Sequence, residues 1–128
     1  MRRSTRHYLV AVGAAVAGLG LRRGWPLGRV EVVGESMLPA LVPGDRLLVV
    51  RSRAGRIEVG DIVAVGDPRA PARTMVKRVA ARGPGGVTVL GDNAAASTDS
   101  RELGPLAPSS IRGRAVYRYH PERRRGRM

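Results

Sequence analysis

The chain has 128 residues, a formal charge of +13, two histidines, no cysteine, and twenty-two arginines against a single lysine. That length holds one small domain with a short appendage. The missing cysteines exclude disulfides, thiolate zinc sites and cysteine nucleophiles. The two histidines, His7 and His120, lie near opposite ends of the chain, which speaks against a histidine triad or metal cluster.

Residues 8–21 (YLVAVGAAVAGLGL) are apolar and uncharged, with Arg6 and His7 before them and Arg22 and Arg23 after. Fourteen helical residues reach about 21 Å, short of the roughly 30 Å hydrocarbon core of a bilayer. Three readings compete. One is a membrane anchor lengthened by snorkelling arginines and by Trp25 at the interface. The second is a cleaved secretory signal, with Ala15-Val16-Ala17 as the small residues of its cleavage site. The third is a helix packed on the domain. The anchor is the expectation carried forward. It makes residues 1–25 a short apolar helix and puts the rest of the chain on the outer face of the plasma membrane, because arginines are more numerous before the segment than after it. A cytoplasmic location is the alternative.

Beyond Gly24-Trp25-Pro26, β-type runs alternate with Gly, Pro and Asp punctuation. Strands are predicted near 29–33, 46–51, 61–65, 74–81, 86–90 and 111–119. Turns are predicted at Pro43-Gly44-Asp45, Val59-Gly60-Asp61 and Gly83-Pro84-Gly85-Gly86, and a loop at 66–73. No convincing helix separates the strands, so residues 26–120 are expected to form a compact, mainly β, antiparallel barrel-like domain. Residues 121–128 read as a basic, disordered tail.

Arginine meets every demand for a plain positive charge in this chain, and it stays protonated. Lysine can lose its proton when desolvated, so the lone Lys77 is a candidate for chemistry that needs a neutral amine. The plain alternative is arginine-biased composition with one lysine left over. In the run Met75-Val76-Lys77-Arg78-Val79, strand alternation puts Lys77 on the same face as Met75 and Val79, with Arg78 on the other. Two serine-bearing turns flank this body. Gly34-Glu35-Ser36-Met37-Leu38-Pro39 can present the Ser36 hydroxyl at the edge of a cleft. Gly91-Asp92-Asn93 leads to Ser97-Thr98-Asp99-Ser100-Arg101. Alone, each could be an ordinary polar turn.

Taken together and in order, these motifs resemble the signal peptidase I family, the S26 serine endopeptidases with a Ser/Lys dyad, over about residues 28–119. The resemblance implies the S26 fold, Ser36 as nucleophile and Lys77 as general base and later acid. Ser97 is then the hydroxyl that orients the lysine. Asp99 and Arg101 form a pair that holds their loop, and Gly91, Asp92 and Asn93 form the loop beneath the site. The Ser36 backbone N–H is one oxyanion donor. Gly34 stands where some members carry a second, serine donor, so that donor is here either backbone or missing. With no histidine in reach, a neutral lysine is the remaining strong base for a serine, which agrees with these roles.

The expected substrate is a pre-protein or precursor peptide, bound as an added strand between edges near 30–34 and 73–76. Val32, Met37 and Val76 are candidate linings of a small-residue pocket. The family implies no cofactor or metal. A membrane surface is the expected second partner, and no specific nucleic acid is expected, since base-stacking aromatics are scarce.

The chain's small size also fits a maturation protease that trims the leader of nickel-type superoxide dismutase. A small basic β domain that binds nucleic acid would explain the charge, but not the placing of Ser36, Lys77 and Ser97. Self-cleaving repressors also use Ser/Lys, but carry a DNA-binding helical domain for which 28 residues leave no room.

Overall fold

The computed structural model describes residues 27–128; the apolar segment 8–21 and the expected helix over 1–25 lie outside them. Seven strands form one antiparallel sheet: β1 (Leu27–Glu31), β2 (Arg46–Arg51), β3 (Ile62–Asp67), β4 (Ala70–Gly83), β5 (Gly86–Leu90), β6 (Ile111–His120) and β7 (Gly126–Arg127). Their order is β1-β2-β6-β3-β4-β5, with β7 added beside β6. The mainly β antiparallel expectation holds, but the sheet stays open: β1 and β5 end it and do not pair with each other. Register shifts interrupt the β2–β6, β3–β6 and β4–β5 ladders. Such irregularities increase local twist, so the sheet coils without closing.

Alternation sets the inner face. In β2, Leu47 and Val49 are buried while Arg46 and Arg51 are exposed, the period-two pattern of a half-buried strand. Strand β3 is buried at every position, as suits a central run of Ile62-Val63-Ala64-Val65 between β6 and β4. These strands pack with Val30, Met75, Val79, Val89 and Ile111 into one core.

The expected loop over 66–73 is mostly strand. A two-residue turn at Pro68-Arg69 joins β3 to β4. Asp67 closes it by accepting from the backbone N–H of Arg69 at 2.8 Å and from its guanidinium at 3.0 and 2.8 Å. The prolines and small residues hid a hairpin that a side-chain clamp completes. Residues 121–128 are likewise not a loose tail. A turn of 3₁₀ helix (Glu122–Arg124) folds back, and β7 pairs with β6 through Tyr117↔Arg127 and Arg118↔Gly126. An ion pair from Arg124 to the buried Asp45 holds this segment, so this arginine is an anchor and not only surface charge.

One feature of topology places the chemistry. Strand β4 is fourteen residues long and changes partner midway: up to Arg78 it pairs with β3, and from Arg78 onward with β5. Lys77 is the last residue before β5 joins. Because Arg78 is opposite Leu90, the next residue after β5, Gly91, arrives beside Lys77.

Candidate active site

Lys77 is fully buried, with Met75 and Val79 on the same face also buried. The alternation expected for this run holds there, and Arg78 is half exposed. Arg78 points to the other face, where it forms a two-point ion pair with Asp92 at 2.9 and 2.8 Å and donates to the Gly60 carbonyl. Asp92 is thus fixed from below by the neighbour of Lys77. The sequence reading gave Arg78 no role, although its adjacency to the lysine was the available signal.

The ammonium would have to be stabilised in a dry site, yet its hydrogen bond is to a neutral group: Nζ donates to Ser97 Oγ at 2.9 Å. Burial, partly offset by the more distant Asp99 carboxylate, lowers the Lys77 pKa from 10.5 to about 8.

Ser97 lies just after a turn of 3₁₀ helix at Ala94–Ala96. Its hydroxyl donates to Asp99 Oδ2 at 2.6 Å. Burial alone would push the Asp99 carboxyl up. Hydrogen bonds from Arg101, the Gly91 N–H and Ser97 outweigh it and hold the pKa at about 2. The Gly91 N–H and Arg101 Nη2 both reach Oδ2, at 2.7 Å each. Asp99 also accepts from the Arg101 N–H at 3.0 Å and so caps a one-turn helix, α1 (Ser100–Leu103). An anionic carboxylate can only accept, so the single Ser97 proton goes to Asp99 and a Ser97 lone pair faces Lys77. The lysine N–H direction is thereby set two hydrogen bonds away, by Asp99 and Arg101.

Gly91 is where the two serine turns meet. A Cβ there would sit 2.2 Å from Ser97 Oγ and 2.7 Å from the Ser36 carbonyl oxygen. Only a residue without a side chain lets both approach the strand beside Lys77. Asn93 braces the same turn from the other side: its N–H donates to the Ser36 carbonyl at 2.8 Å and its Nδ2 to the Glu35 carbonyl at 3.0 Å. Gly34 opens the turn at φ 87°, a conformation that favours glycine. It offers no side-chain donor.

Ser36 itself is fully buried, and its Oγ has no hydrogen-bond partner among the described residues. It does not bond to Lys77 here; the lysine's described hydroxyl partner is Ser97. Buried hydroxyls without partners are uncommon and costly, about 1–3 kcal/mol, and tend to occur where function requires them.

The structure therefore gathers Ser36, Lys77, Gly91, Asn93, Ser97, Asp99 and Arg101 around one point, with Asp92 tied beneath. Val32, Met37 and Val76, the expected pocket linings, are all core residues at 1% exposure or less. Val76 points away from Lys77 but is buried too, since both faces of β4 are covered there. Among the described residues no cluster could hold a metal ion, and no helix is long and apolar enough to cross a membrane.

Comparison with known proteins gives the family. The family profile described as signal peptidase, peptidase S26, matches residues 5–88 and 83–120. Two Arabidopsis thaliana proteins are similar. The mitochondrial ATP-independent inner membrane protease subunit 1a is 37% identical over 120 residues, covering 74% of this chain and 71% of the relative. Subunit 1b is 31% identical over 113 residues, covering 69% and 67%. With the ordered motifs and a profile match that runs through nearly the whole β body, the chain belongs to the signal peptidase family, peptidase S26, and is a peptidase of the signal-peptide-processing type.

Proposed function

We propose that the chain is a serine endopeptidase that removes N-terminal signal peptides from translocated pre-proteins, with Ser36 as nucleophile and neutral Lys77 as general base. The observation that carries the reading is a fully buried lysine hydrogen-bonded to a hydroxyl and not to a carboxylate, with its pKa near 8. Such an amine is neutral in a useful fraction of molecules at neutral pH and is a competent base. Catalytic hydrogen bonds are often formed only once substrate is bound, which accords with the unbonded Ser36 Oγ.

In this mechanism Lys77 Nζ takes the Ser36 proton as Oγ attacks the scissile carbonyl carbon. The tetrahedral oxyanion is held by the Ser36 N–H and a backbone donor of the Gly34 turn, each donor worth about 3–4 kcal/mol of barrier. The Lys77 ammonium then protonates the departing amine, leaving an acyl ester on Ser36. Water, deprotonated by Lys77, hydrolyses that ester. Ser97, fixed by Asp99, keeps the amine oriented through both halves.

The substrate lies as an extra strand. Among the described residues the outer edge of β1 carries no strand, and β4 pairs with β5 only from Arg78 onward, so its 70–77 stretch also has an open edge. The names of the relatives, both inner membrane proteases, and the basic-flanked apolar residues 8–21 support attachment to a membrane with the catalytic body outside.

The test is incubation with a pre-protein carrying an Ala-X-Ala site and, in parallel, with a nickel superoxide dismutase precursor, with mass spectrometry of the new N-termini. Cleavage of the pre-protein alone, lost in Ser36→Ala and Lys77→Arg, with an acid limb near pH 8, is the expected result. Cleavage of the dismutase precursor alone would replace the signal-peptide reading by the maturation-protease one. Retained cleavage in Lys77→Arg would refute the neutral-amine mechanism.

A further inference from the structure

The Ser36 turn is pinned at its near end by Asn93, and a second pin lies at the far end of the same loop. The loop runs from Ser36 to Asp45, where the chain enters β2. Leu41 N–H bonds the Met37 carbonyl at 2.9 Å, Val42 N–H bonds Asp45 Oδ2 at 3.0 Å, and Asp45 N–H returns to Val42 at 3.0 Å. The Asp45 carboxylate is wholly buried, and burial by itself would raise its pKa. Arg124, the Val42 N–H and Arg118 reverse that and hold it below the ordinary range. Arg124 Nη2 reaches Oδ2 at 3.1 Å and Nε reaches Oδ1 at 3.4 Å. Arg118 Nη1 donates at 3.1 Å both to Asp45 Oδ2 and to the Ala40 carbonyl, inside the loop. Arg118 Nε in turn donates to the Arg124 carbonyl at 2.7 Å.

Segment 121–127 is thus tied on one side to β6 and on the other to the hub of the nucleophile loop. We infer that this segment is a strap that sets the position of Ser36, with Arg124 as its positioning residue. The inference rests on Ser36 being the nucleophile. A carboxylate that must satisfy a loop N–H keeps its geometry only while cations hold it anionic and in place. Without Arg124, Asp45 keeps one guanidinium partner, and the loop keeps Arg118 on Ala40 but loses the fixed end of the strap. Small misplacements of a reacting group far from the chemistry lower the rate strongly.

The full chain carrying Arg124→Ala is compared with wild type and with Arg124→Lys in peptide cleavage and in native-state hydrogen exchange. The expected result is a kcat about tenfold lower, with KM changed by less than about twofold and the acid limb still near pH 8, because Lys77 and Ser97 are untouched. Arg124→Lys recovers part of the loss, since it restores the charge and one donor. Exchange quickens at the Leu41 and Val42 amides but not at Val79 or Val89. An unchanged kcat would overturn the inference. So would exchange that quickens equally at all four amides, which would mark Arg124 as a general stabiliser. A wild-type chain that cleaves no peptide would refute the endopeptidase reading, and the exchange pattern would still decide whether the strap orders the loop.

Discussion

Replacing Lys77 by Met tests the electrostatics of the site without reference to any substrate. Methionine is close in length and apolar, so it fits the same space among Met75 and Val79. Lowering a buried lysine from 10.5 to about 8 means that the folded chain binds fewer protons than the unfolded chain between those pH values. Stability therefore rises with pH through that window. At pH 7 both states hold the proton, and burying it costs the folded chain about 3 kcal/mol. Above pH 10.5 that cost is gone. The substitution also removes the hydrogen bond to Ser97, a loss of about 1 kcal/mol that does not depend on pH. Lys77→Met should then be more stable than wild type by about 2 kcal/mol at pH 7, with the advantage shrinking from pH 8 upward and reversing by pH 10.5. Asp99, with a pKa of about 2, stays ionised throughout, and guanidinium groups stay charged, so nothing else in the cluster mimics the trend. Urea unfolding of both proteins at half-unit steps from pH 6 to 10.5 measures it. Parallel stability curves would mean that the amine keeps its ordinary affinity for protons, and the general-base argument would fail with it.

Ser97→Ala should cut kcat by about ten- to a hundredfold with little change in KM, because it frees the amine without touching the substrate edges; steady-state kinetics checks it, and an unaltered kcat would deny Ser97 an orienting role. Gly91→Ala should destabilise the fold by about 1–3 kcal/mol and abolish cleavage, since its methyl group must displace the Ser97 hydroxyl and the Ser36 carbonyl together; thermal melting alongside cleavage tests both. Asp99→Asn should move the acid limb of the rate profile below pH 8, because the carboxylate charge raises the Lys77 pKa while Arg101 lowers it; a limb that stays put or moves up would show that the charge of Asp99 is not felt at the amine.

The parts of this fold that are written locally could be read from the sequence. Strands β2 and β5 begin and end where alternation and turn residues say they do, because a half-buried strand repeats every two residues. The inner ends of the β3–β4 hairpin were missed because Pro68, Pro71 and small residues give a loop-like composition, and the clamp that closes it, Asp67 on Arg69, is a side-chain contact that composition does not display. The segment 121–127 was missed for a similar reason. Four arginines among eight residues look solvated until a buried aspartate seventy-nine positions earlier is placed beside one of them. The site followed the same division. Lys77 stood out by composition, and Ser36, Ser97 and Asp99 by ordered motifs. That Lys77 bonds Ser97 while the Ser36 hydroxyl stays unbonded depends on the β4–β5 register and on Gly91, and no local pattern encodes either. Val32, Met37 and Val76, the expected pocket linings, belong to the core, where a small domain first needs its apolar residues.

The distribution of charge also explains why the single lysine matters. Three aspartates, Asp45, Asp67 and Asp99, have fully buried side chains, and arginines that keep part of their length in solvent reach in to each of them. Every buried anion is thereby paired with a cation that cannot give up its proton. Lys77 is the reverse case: among the described residues it is the one fully buried basic side chain, and a hydroxyl faces it where a carboxylate would have locked it as an ammonium. The Asp99 carboxylate is one hydroxyl further off and already shared with Arg101 and the Gly91 N–H. A chain this rich in arginine adds a positive field that disfavours one more proton. Arginine thus holds the framework and keeps the amine uncharged at once, which a lysine-rich version of the same surface would not do as firmly, since lysines can shed the charge that the framework depends on.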